Sequence, residues 1–85
     1  MNYIYIIECK DGTLYTGWTI NIENRLEKHN AGTGAKYTKG RFPVTLRYLE
    51  EFDSKEEAMK REWQIKKLKR DKKLQLLKTW INEQK

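Results

Sequence analysis

Alternating runs of apolar and polar residues divide the chain into predicted strands and turns. Residues 2–9 (NYIYIIEC) and 14–19 (LYTGWT) are rich in aromatic and aliphatic side chains, as expected of two largely buried strands. Asp11-Gly12 between them predicts a hairpin turn, because glycine accepts the positive φ that tight turns require. Residues 44–52 (VTLRYLEEF) predict a third strand.

Capping signals predict two helices. Asn21 can accept a hydrogen bond from a free backbone N–H and so begin a helix over residues 22–30. Ser54 and Glu57 have capping-box spacing, which predicts a second helix over residues 55–67.

A third helix is expected after Asp71, its predicted cap, and should end near Asn82. Its predicted apolar side comprises Leu74, Leu77, Trp80 and Ile81. The resulting order, β-β-α-β-α-α, predicts an α+β domain with a small three-stranded antiparallel sheet flanked by helices. With 85 residues we expect a single domain over residues 1–85, acting as a monomer.

Positive charge is concentrated in the C-terminal part of the chain. Residues 1–54 carry seven basic and seven acidic side chains, whereas residues 55–85 carry eleven and five, which accounts for the net charge of +6. Such a segment attracts polyanions, but a Lys-rich helix is also typical of a simple solvated face. The candidate nucleic-acid-binding residues here are Lys66, Lys67, Lys69, Arg70, Lys72 and Lys73.

The polar loop over residues 34–41 (GAKYTKGR) is a second candidate nucleic-acid contact. Lys36, Lys39 and Arg41 can neutralise backbone phosphates while Tyr37 stacks on a base. The same composition is equally typical of an exposed connector.

Cys9 is the only cysteine, so no internal disulfide forms and a reducing cytoplasm is the expected location. The apolar run at residues 1–7 ends at Glu8, too early for a membrane span, and no membrane partner is expected.

Glu62 is the most informative polar position. Helical periodicity places it close to the centre of the apolar face of the second predicted helix, so its carboxylate should point inward. The residues that define this predicted face are Ala58, Met59, Trp63, Ile65 and Leu68. A buried carboxylate is costly unless it is protonated, paired or bound to a metal. A structural ion pair with Arg25 or Arg47 and metal binding both satisfy this requirement.

Other residues suited to phosphate chemistry lie on the first hairpin and the first helix. Arg25 can clamp phosphate oxygens, and His29, four residues on, can hold a water or a phosphate near neutral pH. Taken singly, both are also ordinary surface residues. Tyr3, Tyr5 and Tyr15 cluster on the hairpin, where tyrosines commonly serve packing alone.

The two tyrosines Tyr5 and Tyr15 can share a site only if the hairpin loop has an odd length. A regular two-residue turn at Asp11-Gly12 would put them on opposite faces of the sheet. We therefore predict a three-residue loop with a bulge.

The candidate residues, taken in order along the chain, resemble the motifs of the GIY-YIG endonuclease superfamily. They are the tripeptides Tyr3-Ile4-Tyr5 and Tyr15-Thr16-Gly17, followed by Arg25, His29 and Glu62. Within that superfamily the resemblance is closest to the UPF0213 group of small bacterial proteins. It is carried by three segments: YTGWTINIENRLEKHN, GAKYTKGRFPVTLRY and EEAMKREWQIKKLKR. The first tripeptide, YIY, departs from the family by lacking the glycine.

By this resemblance, Tyr5 and Tyr15 match the catalytic tyrosines of the two tripeptides, and Arg25 matches the arginine that contacts the scissile phosphate. His29 stands where relatives carry His or Tyr. Glu62 matches the glutamate that binds one divalent ion, Mg²⁺ or Mn²⁺. The resemblance thus implies a DNA endonuclease with a single metal.

Three functions compete at this point. The first is a metal-dependent DNA endonuclease of weak sequence specificity, and the second is a non-catalytic nucleic-acid-binding module on the same scaffold. The third is a protein-interaction adaptor that uses Leu77 and Trp80 of the last helix.

Overall fold

The computed structural model describes residues 1–35 and 38–84. Its elements, in chain order, are β1 (Asn2–Glu8), β2 (Leu14–Thr19), α1 (Ile22–Asn30), β3 (Thr45–Phe52), α2 (Lys55–Lys66) and α3 (Arg70–Gln84). The predicted order β-β-α-β-α-α and the α+β fold class are confirmed. No helix in these described ranges is long and apolar enough to cross a membrane.

Two predicted helix caps are present. The Asn21 side chain accepts a hydrogen bond from the Asn24 backbone N–H at 3.0 Å, and Ser54 accepts one from the Glu57 N–H at 3.1 Å. Each cap satisfies a backbone donor that the first helical turn leaves without a partner. The starts of α1 and α2 therefore follow from local sequence.

The start of α3 differs from the prediction. The helix begins at Arg70, so Asp71 lies in its first turn, and the prediction that Asp71 caps it is wrong. The backbone N–H groups of Lys72 and Lys73 instead both donate to the Lys69 carbonyl at 3.1 Å. The helix therefore begins directly after the short connection from α2, two residues earlier than a cap at Asp71 would place it.

The inward face of α3 also differs from the expected one. Leu77 is 3% exposed and belongs to the core, and Leu76 packs against that core, whereas Leu74 is 38% exposed. The prediction that Leu74 faces inward is therefore wrong. Because Leu77 is buried in the protein's own core, it is not available to a partner, which removes one of the two residues on which the adaptor hypothesis depends; the other, Trp80, is half-buried.

The sheet has strand order β2-β1-β3, with β1 antiparallel to both neighbours. Side chains alternate between its faces, as the strand period requires. Ile4 and Ile6 form one core with Ala58 and Ile65 of α2 and Leu77 of α3. On the other face the core comprises Tyr5, Ile7, Cys9 and Val44, with Ile22 and Leu26 of α1 packed against it. The sheet is thus enclosed between α1 and the α2–α3 pair.

The β1–β2 hairpin has the predicted three-residue loop. The Cys9 N–H donates to the Thr13 carbonyl at 2.8 Å, and the Gly12 N–H donates to the Cys9 carbonyl at 2.9 Å. Gly12 has φ 85°, the left-handed conformation of a bulged three-residue loop. In this register Tyr15 pairs with Ile7, so it lies on the same face as Tyr5.

Candidate active site

The face of the sheet covered by α1 brings together four of the predicted site residues. The rings of Tyr5 and Tyr15 have centroids 6.4 Å apart, and the His29 ring lies 5.8 Å from the first and 5.5 Å from the second. Arg25, one helical turn before His29, donates from Nε to the Tyr5 hydroxyl at 3.2 Å. The hairpin register and the helical spacing together produce this cluster.

A chain of hydrogen bonds runs through the cluster into the loop after α1. The Tyr5 hydroxyl lies 2.9 Å from His29 Nε2, and His29 Nδ1 lies 2.7 Å from Thr38 Oγ1. Thr38 in turn donates to the Ala35 carbonyl at 3.0 Å. Tyr5, His29 and Thr38 are each 0% exposed. The solvent-facing members of the cluster are therefore the half-buried Arg25 and Tyr15.

Two glycines make room for the buried side chains. A Cβ built on Gly17, across the strand pair from Tyr5, would lie 2.6 Å from Cζ of that tyrosine. A Cβ on Gly34 would lie 2.8 Å from Cγ of His29. Both distances are well below van der Waals contact, so each glycine is required by the ring packed against it.

Burial decides the protonation states in the cluster. Desolvation, with a smaller contribution from the Arg25 charge, lowers the pKa of His29 from 6.5 to about 4. The imidazole is therefore neutral at pH 7. Burial also raises the pKa of the Tyr5 hydroxyl, and the nearby charges of Tyr15 and Glu62 add to this while Arg25 opposes it. Tyr5 is accordingly a hydrogen-bonded phenol at neutral pH.

Glu62 points inward as predicted. Its side chain is 13% exposed, and its charge is close enough to Tyr5 to affect that residue's pKa. The carboxylate forms an ion pair with Lys66 at 3.5 Å, on the next turn of α2. The alternative of a structural pair with Arg47 is not observed, because the Arg47 Nε faces Glu8 at 3.6 Å.

The apolar face of α2 is narrower than periodicity predicts. Ala58 and Ile65 are fully buried, but Met59 and Trp63 are 39% and 59% exposed. Glu62 therefore lies at the edge of the buried stripe. At that position a carboxylate can be largely shielded by protein and still reach water.

This donor set fits one weakly coordinated divalent ion. Within the described parts of the chain, no group of three or more His, Cys, Asp or Glu side chains forms a metal site composed of protein ligands alone. Mg²⁺ characteristically keeps several waters and binds through one or two carboxylates together with substrate phosphates. Glu62 supplies one such carboxylate, and its exposed i,i+4 partner Lys66 contributes little to holding it.

The two predicted basic segments meet at the β1–β2 turn. From the loop, Arg41 pairs with the Asp11 carboxylate at 2.6 Å, and from the start of α3, Arg70 donates to the Gly12 carbonyl at 3.0 Å. Lys39 is exposed beside Arg41. Two arginines that are far apart in sequence thus meet at one turn, although the charge of Arg41 is offset there by Asp11. Two predicted contacts of this loop, Lys36 and Tyr37, lie outside the described residues.

The remaining predicted nucleic-acid contacts differ in their surroundings. Lys66 is paired with Glu62, and the Lys67 ammonium lies 3.7 Å from the centroid of the exposed Trp63 ring. Lys69 and Lys72 are exposed, and Lys73 is half-buried.

A cleft of about 580 Å³ lies on the outer side of Arg25, between the end of β2 and α1. Its lining residues are Trp18, Thr19, Ile20, Asn21, Asn24, Arg25 and Lys28. Arg25 therefore joins the tyrosine cluster to a surface concavity that carries a second cation, Lys28. Its lining residues all lie in the segment YTGWTINIENRLEKHN, but apart from Arg25 none of them was predicted to have a role in the site, because the cleft forms only when the end of β2 packs beside α1.

The antiparallel sheet, the covering helix and the tyrosine–arginine–histidine cluster define a GIY-YIG-type domain, a nuclease-type fold. The chain belongs to the GIY-YIG family: the family model described as the GIY-YIG catalytic domain matches residues 1–75.

Relatives and solved structures place the chain beside the UPF0213 proteins. It is 61% identical to a UPF0213 protein of Clostridium perfringens over 77 residues, which is 91% of this chain and 83% of that protein. A UPF0213 protein of Halobacterium salinarum is 60% identical over 73 residues, 86% of this chain and 95% of that protein. The solution NMR structure of the UPF0213 protein from Bacillus halodurans is 52% identical, with a TM-score of 0.61, covering 93% of this chain and 85% of that one.

Proposed function

We propose that this protein is a divalent-metal-dependent endonuclease that hydrolyses phosphodiester bonds in DNA with weak sequence specificity. One observation carries the proposal: the hydrogen-bonded Arg25–Tyr5–His29 chain shares a sheet face with Tyr15, within electrostatic range of the Glu62 carboxylate. Packing alone does not require an arginine and a histidine on one buried tyrosine hydroxyl. Membership of the GIY-YIG family supports the same reaction class.

The proposed role of each site residue follows from how far its side chain is exposed to solvent. Arg25 is half-buried and has N–H groups besides the Nε that Tyr5 engages, so it binds a phosphate oxygen and stabilises the negative charge that develops there. Tyr15 is the half-buried hydroxyl of the pair and orients the attacking water. Tyr5 and His29 are fully enclosed, so in this arrangement they act by holding Arg25 and the neighbouring ring in place.

Glu62 is the residue that would hold Mg²⁺ or Mn²⁺, with substrate phosphate and water completing the coordination. A bound ion of this kind supplies charge neutralisation at the phosphate and the leaving oxygen. Lys66, the present partner of Glu62, is exposed and can turn toward solvent or toward the nucleic acid when an ion binds.

The substrate class is argued from charge and surface area. Basic residues from the loop and from α3 converge at the β1–β2 turn, and Lys28 adds a cation at the cleft beside Arg25. Such contacts bind the phosphate backbone and do not read bases. A chain of 85 residues also has little surface for base-specific contacts, so weak sequence specificity is expected.

A non-catalytic nucleic-acid-binding module is the second candidate, and two observations favour it. The Glu62 carboxylate is already paired with Lys66, and burial raises the pKa of Tyr5, which keeps that hydroxyl protonated at neutral pH and unable to take a proton from water. The exposed lysines at the start of α3 suffice for salt-sensitive binding without chemistry.

Cleavage of supercoiled plasmid and of branched DNA, with Mg²⁺ or Mn²⁺, distinguishes the two candidates. We expect cutting that requires the metal and is lost in Glu62→Gln, while Glu56→Gln, an exposed glutamate of the same helix, retains it. Wild-type protein that binds DNA but leaves every substrate intact would favour the binding module. Equal cutting by Glu62→Gln and wild type would remove Glu62 from the mechanism.

A further inference from the structure

Thr38 lies in the polar loop over residues 34–41, where no role was predicted for it, yet it ends the hydrogen-bonded chain. It is 0% exposed, and its hydroxyl oxygen lies 2.7 Å from His29 Nδ1. The same hydroxyl lies 3.0 Å from the Ala35 carbonyl oxygen and receives the Ala35 N–H at 3.4 Å. A threonine hydroxyl has one proton and two lone pairs, so these contacts constrain one another.

The direction of each bond follows from that constraint. The Ala35 carbonyl can only accept, so the single Thr38 proton is donated to it. Thr38 must then accept from His29, which places the imidazole proton on Nδ1. A neutral imidazole has only one such proton, so Nε2 is an acceptor and takes the proton of the Tyr5 hydroxyl at 2.9 Å. The Tyr5 oxygen is left to accept from Arg25.

The opposite tautomer satisfies fewer groups. With the proton on Nε2, Thr38 would have to donate to Nδ1, and the part-buried Ala35 carbonyl would keep only the Thr38 backbone N–H as a donor. The Tyr5 oxygen would then face two donors, Arg25 and His29, and its own proton would need another acceptor. An unsatisfied buried polar group costs more than a typical hydrogen bond contributes.

We propose that Thr38 is a positioning residue that keeps His29 in the Nδ1–H tautomer, so that Nε2 holds the Tyr5 hydroxyl and the Tyr5 oxygen holds Arg25. Backbone hydrogen bonds and a glycine of the loop hold Thr38 in position for this contact. The Thr38 N–H donates to the Ala35 carbonyl at 3.1 Å, the Arg41 N–H donates to the Thr38 carbonyl at 3.0 Å, and Gly34 admits the histidine ring. Thr38 thereby connects the basic loop to the tyrosine cluster.

The test uses the fact that His29 is the only histidine in the chain, so its ring signals need no assignment. Two-bond ¹H–¹⁵N correlation spectra at pH 7 report which ring nitrogen carries the proton. Wild-type protein is expected to carry it on Nδ1. A wild-type spectrum with the proton on Nε2 would overturn the proposal without any variant.

Two substitutions separate the hydroxyl from the shape of the side chain. Thr38→Val keeps the volume and removes the hydroxyl, and it should shift the tautomer ratio roughly tenfold toward Nε2–H, about the effect of one hydrogen bond. Thr38→Ser keeps the hydroxyl and should keep the wild-type tautomer. An unchanged ratio in a folded Thr38→Val protein would contradict the proposal.

The consequence for cleavage rests on the proposed nuclease function, and it is measured separately. If the protein cuts DNA, Thr38→Val should lower kcat with little change in KM, and Thr38→Ser should restore it, because the affected groups orient the site and bind no substrate themselves. A kcat equal to wild type in Thr38→Val, combined with a changed tautomer, would limit Thr38 to a structural role and overturn its positioning role. Absence of cutting in every protein would count against the nuclease alone, since the tautomer is read independently.

Discussion

Acidification is expected to destabilise the protein through His29, beginning at a higher pH than that at which carboxylates ordinarily titrate. The imidazole is 0% exposed, and its pKa is lowered from 6.5 to about 4 by desolvation and by Arg25. In the unfolded chain the same group binds a proton below pH 6.5, whereas in the folded protein it does so only near pH 4. The free energy of unfolding is therefore highest above pH 6.5 and falls as the pH decreases through this window.

The magnitude follows from the two pKa values. A pKa difference of about 2.5, at about 1.4 kcal/mol for each pH unit, corresponds to a loss of about 3 kcal/mol between pH 7 and pH 4. This is a large part of the stability expected for a small domain, about 5–15 kcal/mol. The loss should be most rapid between pH 6 and about pH 4.5, where the unfolded histidine is mostly charged and the folded one is neutral.

Urea denaturation of wild type and His29→Gln at several pH values from 7.5 to 4 measures the effect. The glutamine variant cannot titrate, so its free energy of unfolding should depend less on pH over this interval, whatever its value at pH 7. Asp11, whose pKa is lowered first by its hydrogen bonds to Thr13, titrates below the window and is common to both proteins. Parallel curves for the two proteins would refute the assignment of a buried neutral imidazole.

Three further predictions concern the site and its surroundings. Gly17→Ala should cost about 1–3 kcal/mol of unfolding free energy, measured in urea, because the added methyl overlaps the tyrosine ring packed across the strand pair; unchanged stability would contradict the close approach. Arg25→Lys should lower kcat for DNA cleavage by about 10²-fold. The planar guanidinium is proposed to bind both the Tyr5 hydroxyl and a phosphate, and the ammonium of lysine cannot replace it in both contacts. A kcat equal to that of wild type would exclude this role of Arg25. Replacing Lys69 and Lys72 by Gln should reduce the salt dependence of DNA-binding affinity by the amount that corresponds to about two lost phosphate contacts. Anisotropy titrations at several salt concentrations measure this dependence. The matched control is Lys78→Gln, which replaces a more distant exposed lysine of α3. An equal reduction in this variant would indicate that DNA binding depends on overall positive charge and not on a defined surface.

Local signals in the sequence were sufficient for the order of the elements, for the starts of α1 and α2 and for part of the site, but not for the start of α3. The caps at Asn21 and Ser54 are correct because a side chain and a backbone N–H three residues on decide them without help from the rest of the chain. The odd hairpin loop was predictable because strand period 2 leaves only odd loops compatible with two tyrosines on one face. Arg25 and His29 share a helix face for a similarly local reason.

Errors occurred where packing between elements decides the outcome. Periodicity assigned Leu74, Met59 and Trp63 to apolar faces, but all three are exposed, because the sheet covers only a narrow stripe of each helix. The partner of Glu62 was sought on other elements, whereas it is Lys66 on the same helix.

By itself the sequence determined the order of elements, the hairpin register and the residue types available for phosphate chemistry, since each depends on spacing along a few neighbouring residues. Only the tertiary structure decided which groups meet. Thr38 reaches His29 because a loop folds back over α1, and the Arg41 and Arg70 side chains approach the same turn from two distant segments of the chain. The burial that makes His29 neutral is likewise a property of the assembled layers, because desolvation depends on every neighbour around the ring and on no single position in the sequence.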